Sequence, residues 1–127
     1  MRIHDFYEQF GQAKRIHGTE VGRRAEAVRL GENMSGVVFV DENDDITGMK
    51  LMTATGKSQL GYVAYVVMCM MMLDKVFKMK LEERNAALEA VGISDVGNLG
   101  KNVYDDGRIK VGTSLMDGIF TLDVMCA

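Results

Sequence analysis

The sequence predicts an α+β domain with elements in the order α-β-β-α-β-β, an antiparallel sheet of about four strands packed on one long central helix. Three observations lead there. Apolar residues recur at three- and four-residue steps after residue 3 and again after residue 57; Val37 to Val40 form a short, strand-prone apolar run; and an Asp-Gly pair at 117–118 separates two alternating segments. With 127 residues, 47% hydrophobic and 26% charged, the chain has the composition of an ordinary globular protein and the length of a single domain, residues 1–127. That composition excludes wholesale disorder and low-complexity sequence.

Ile3, Phe6, Phe10, Ala13 and Ile16 predict an amphipathic helix over 3–16, interrupted at Gly18. Val21, Ala25 and Val28 continue a weaker helical stripe, ended by Gly31 or by the Asn33 to Gly36 stretch. Residues 1–32 are thus expected to be a helical segment preceding an α+β body, 33–127. A hairpin follows, with strands at Gly36 to Val40 and Ile46 to Met52 joined by the polar cluster Asp41 to Asp45. Four consecutive apolar residues place the first of these strands inside the sheet and predict burial on both its faces.

Residues 57–92 read as helix throughout, with Gly92 as the stop. As one continuous helix they would run about 54 Å, whereas a compact chain of this size is only about 36 Å across. Either the helix breaks near 79–83 or it reaches into a second subunit. After a surface loop with a short strand at Val103-Tyr104, Asp117-Gly118 forms a two-residue hairpin turn. It sets Leu115 opposite Phe120, Thr113 opposite Leu122, Val111 opposite Val124 and Ile109 opposite Cys126 on the core side, with Ser114–Thr121 and Gly112–Asp123 on the wetter side.

The formal charge of −3 is unevenly spread: residues 1–30 hold six basic and four acidic side chains, and the remainder nine and fourteen. Phosphate neutralisation needs clustered Lys and Arg, so this charge gives no reason to expect nucleic acid as a partner of the whole chain, and the mildly basic N-terminal face suits a subunit contact at least as well. Cys69 and Cys126 have no neighbouring His or Cys at metal spacing, make no disulfide framework, and read as reduced thiols. The longest uncharged run, Leu60 to Leu73, would extend about 21 Å as a helix, short of the ~30 Å hydrocarbon core of a membrane. Early charges at Asp5 and Glu8 speak against a signal peptide, and a cytoplasmic location is expected.

Each local motif has a plainer alternative. Thr55-Gly56-Lys57-Ser58, between a strand and a helix, has the context of an anion or nucleotide site at a helix start, but Leu51 stands where the full phosphate loop needs glycine. Helix capping explains the same residues. Asp41, Asn43 and Asp45 match the opening of a calcium loop, yet Ile46 and Met52 occupy the positions that need glycine and a bidentate acid. His17 and Glu20 are three apart without further donors, and Gly97 to Lys101 has a two-glycine spacing best explained as a turn. No metal or cofactor is implied, and no set of residues argues for catalysis.

Met68, Met70, Met71 and Met72 with Cys69 cover every side of more than one helical turn. Methionine adapts to irregular partners, and a helix apolar all round must be covered all round, which one small sheet cannot do. The expectation is a non-enzymatic, oligomeric binding protein, most simply a dimer, whose self-contact uses Tyr62, Val63, Val66, Val67 and Met70. Two rival readings are an anion- or nucleotide-binding protein using Thr55, Gly56, Lys57 and Ser58, and a small acidic inhibitor that engages a basic partner.

Overall fold

The computed structural model describes residues 1–10, 14–20, 25–31, 33–54, 59–93 and 99–126. The elements run α1 (Ile3–Gln9), β1 (Lys14–Glu20), β2 (Ala25–Gly31), β3 (Met34–Val40), β4 (Ile46–Ala54), α2 (Gln59–Lys75), α3 (Leu81–Ala90), β5 (Tyr104–Asp105), β6 (Ile109–Met116) and β7 (Ile119–Cys126). The strands form one seven-stranded sheet in the order β1-β2-β3-β4-β7-β6-β5, antiparallel at every junction. Two meanders therefore meet at a β4–β7 seam, and the two helices α2 and α3 are inserted between them in sequence. The α+β class holds, but the sheet has seven strands rather than about four.

The additional strands come mostly from the N-terminal segment expected to be helical. Among the described residues of that segment, only Ile3–Gln9 is helix; Lys14–Glu20 and Ala25–Gly31 are strands. The reason lies in which residues must share a face. Val28 and Leu30, both buried, would point about 200° apart on a helix but point the same way on a strand. Pairing with β3, from Ala25↔Phe39 to Gly31↔Met34, then overrides the good helix propensity of Ala, Glu, Arg and Leu. Tyr7 on α1 fixes the arrangement by donating its hydroxyl to Glu26 at 3.2 Å.

The expected single long helix is two. After Lys75 the chain turns through Val76 to Lys80, with Lys78 at φ 53°. Val76, Phe77 and Met79 are all buried in this turn. Arg84, itself buried, reaches back from α3 to the Asp74 carboxylate at 2.8 Å and clamps the two helices. The break falls slightly before the 79–83 stretch expected to contain it.

The last hairpin has the register derived from its turn. Asp117 and Gly118 sit at φ 53° and 76°, the positive values that a type I′ connection needs, and all four core-side pairs are as expected. The short strand before it is Tyr104–Asp105, one residue later than read.

Register places the core on one side of the sheet. Across the strands Val28, Gly36, Leu51, Leu122 and Thr113 form one row, and Val38, Met49, Val124 and Val111 the next. All three helices lie on this side: α1 through the buried Phe6, α2 through the Tyr65 hydroxyl on the Leu51 carbonyl, and α3 through the Val91 carbonyl that follows it, which accepts from Thr113 at 2.8 Å. Residues of the alternate rows face away. Consequently β3 is interior to the sheet but not buried on both faces; Val38 and Val40 are in the core, whereas Val37 and Phe39 are half-buried on the side without helices.

Candidate interaction site

The three sides of α2 meet different surroundings. Tyr65, Cys69, Met72 and Leu73 point into the core and are at most 1% exposed. The Tyr65 hydroxyl donates to the Leu51 carbonyl at 2.7 Å, and the Tyr62 ring packs on Phe120 with centroids 5.2 Å apart while its hydroxyl donates to the Ile93 carbonyl. Burial pushes the Cys69 thiol up to about 12 and holds the Tyr65 phenol well above its ordinary range. Both groups therefore stay protonated near neutral pH.

The opposite side of the helix carries Val63, Val67 and Met71, which are 52%, 48% and 41% exposed and follow one another at four-residue steps. Ala64 is exposed beside them, and Val66 and Met70 are half-buried along the flank. Of the five residues the sequence assigns to a contact surface, Val63 and Val67 lie in the stripe, Val66 and Met70 border it, and Tyr62 is half-buried against Phe120.

Among the described residues, the other sequence candidates are not gathered around a common point. Thr55, Gly56, Lys57 and Ser58 fall between the end of β4 and the start of α2 and lie outside the described residues. Asp41 is occupied in shaping its turn: one carboxylate oxygen accepts the N–H groups of Asn43 at 2.8 Å and Asp45 at 3.0 Å. Arg2 and residues 42–45 line an open, polar concavity of about 460 Å³. His17 and Glu20 belong to β1, so the helical relation that their spacing presumes does not exist. Gly97 and Asn98 of the two-glycine motif lie outside the described residues, and Gly100 donates its N–H to the Thr113 hydroxyl at 3.0 Å. Among the described residues, no group of three or more His, Cys, Asp and Glu side chains is placed to hold a metal, and no helix is long and apolar enough to cross a membrane.

A second surface escapes sequence reasoning. On the side of the sheet away from the helices, Lys50 and Asp123 are cross-strand partners on β4 and β7, their charged atoms 3.5 Å apart. Around them stand Val37, Phe39, Met52, Ile119, Met125 and Met116, the last 70% exposed. Alternation within each strand is visible in the sequence, but the adjacency of β4 and β7, which assembles the patch, is not.

Comparison with known proteins finds no matching family model, no matching curated protein and no matching solved structure.

Proposed function

We propose that this chain is a non-enzymatic binding protein that works as a self-associated assembly, with the outward stripe of α2 as a contact surface. The observation that carries the reading is the row of Val63, Val67 and Met71 in solvent on a helix whose opposite side is fully buried. Each large apolar side chain withdrawn from water contributes about 1.5–3 kcal/mol when burial is complete, so a contact along this row is favoured without any polar group being left unpaired. The half-buried Val66 and Met70 widen the stripe, and Met71 gives it an adaptable side chain.

Light scattering on the purified chain at tens of micromolar, compared with Val63→Glu and Val67→Glu, tests this. The expected result is an assembly in the wild type that becomes smaller in at least one variant while the circular-dichroism spectrum is unchanged. A monomeric wild type at that concentration would overturn the reading.

A further inference from the structure

The side of the sheet without helices is larger than the α2 stripe, and the charged pair at its centre is self-complementary. Strands β2, β3, β4, β7 and β6, at ~4.8 Å spacing and ~25 Å length, give a flat footprint of about 600 Å². Two copies face to face would bury about 1,200 Å², the lower edge of stable protein interfaces. By the same measure α2, about 25 Å long and ~10 Å wide, offers about 250 Å² per copy, or about 500 Å² in a pair, the scale of weak contacts. On area alone, the sheet is the surface that can hold a lasting dimer.

Charge supports the same occupant. The centre of the face holds one basic and one acidic side chain, Lys50 and Asp123, directly opposite each other on the two middle strands of the β4–β7 seam. A two-fold axis running along the strands between β4 and β7 carries each strand over the other: Lys50 of one copy then lies over Asp123 of the second, and Asp123 over Lys50. Within this central pair like charges do not meet, Met52 and Met125 flank it, and the exposed Arg29 and Lys110 stand on the same face on the strands to either side. A different macromolecule would have to bring its own matching pair; a second copy of this chain brings it by symmetry.

From this we infer that the open sheet face binds a second copy of the chain, forming a sheet-on-sheet dimer centred on reciprocal Lys50–Asp123 contacts. This contact goes beyond the one proposed for α2 and lies on the opposite side of the molecule, so the two together build an assembly larger than a dimer. Native mass spectrometry in a Val67→Glu background, which removes the helix contact, isolates it. There the chain is expected to remain a dimer, and either Lys50→Glu or Asp123→Lys added singly should weaken that dimer by roughly tenfold or more by opposing like charges. Mixing the two single variants should restore a heterodimer, since each brings the sign the other lacks.

That rescue cannot come from the pair within one chain, which is like-charged in both variants. Thr121→Arg, which leaves the ion pair intact but adds bulk to the face, should also give monomers with an unchanged circular-dichroism spectrum. A monomer in the Val67→Glu background, or a mixture that fails to form heterodimers, would overturn the sheet contact. If Val63→Glu and Val67→Glu both leave a wild-type dimer unchanged in size, the α2 contact fails and the sheet contact stands.

Discussion

Tyr65 and Leu51 are tied by a single hydrogen bond, from the phenol to the backbone carbonyl at 2.7 Å, in the part of the core where α2 crosses β4. The phenol is 1% exposed and the Leu51 side chain 0%, so neither end of the bond has access to water. A tyrosine oxygen inside an apolar helix face is thereby satisfied, and the helix is fixed in translation relative to the sheet.

Removing that hydroxyl should therefore be felt. Tyr65→Phe keeps the ring and loses the bond, and is expected to reduce stability by about 1–2 kcal/mol. Urea denaturation read by circular dichroism measures it, and a midpoint equal to wild type would mean that the bond contributes nothing net.

Gly118→Val should be destabilising by about 1–2 kcal/mol or more, because the residue sits at φ 76° and a β-branched side chain resists that region. Thermal melting measures the loss, while Asp117→Asn, whose side chain tolerates positive φ, should melt near the wild type.

Glycines within β2 and β3 should respond unequally to a methyl group. At Gly36 an added Cβ would stand 2.8 Å from the Lys50 carbonyl oxygen, a backbone atom held by the sheet, so Gly36→Ala should cost about 1–3 kcal/mol. At Gly31 the nearest neighbour of such an atom is the Met34 Cβ at 3.9 Å, an ordinary contact, and Gly31→Ala should be neutral or slightly stabilising. Comparing the two urea midpoints checks the register of β2 against β3 and of β3 against β4.

Alkaline pH should destabilise the protein through two buried groups. Burial raises the Cys69 thiol from 9.0 to about 12 and the Tyr65 phenol above its ordinary value of 10.0. In the unfolded chain these groups ionise from about pH 9 and pH 10, while in the folded chain they stay protonated, so the unfolded state binds fewer protons and stability falls as pH rises. Each group contributes a slope of about 1.4 kcal/mol per pH unit once its unfolded form is ionised. Urea midpoints between pH 7 and 11 should bend downward near pH 9, and Cys69→Ala should delay the bend. A flat profile to pH 11 would contradict the buried, protonated thiol.

What could be read in the sequence depended on how local the deciding interaction is. Asp117-Gly118 sets the register of β6 against β7 by itself, since a two-residue turn leaves the flanking residues no alternative pairing. Ala25 to Leu30 has helix-favouring composition, and only its pairing with β3 makes it a strand. Val76 to Lys80 contains neither Gly nor Pro, so no breaker residue marks the turn between α2 and α3, where Lys78 takes φ 53°. For the interaction surface, the apolar stripe of α2 was visible as an excess of apolar residues around the helix. The Lys50–Asp123 patch was hidden because its halves lie on strands separated by both helices.

The β4–β7 seam also has a kinetic meaning. It joins partners as distant in sequence as Gly48 and Met125, with α2, α3, β5 and β6 between them. Closing so large a loop carries an entropic cost that nearer pairings avoid. The first meander and the final hairpin can each form from neighbouring residues, but the sheet becomes one only when β7 finds β4. During synthesis on a ribosome this join must wait until residues 119–126 have emerged, and until then the inner edge of β4, from Gly48 to Ala54, offers its backbone to any extended chain. The interval before the seam closes is when this protein is most open to mispairing and aggregation.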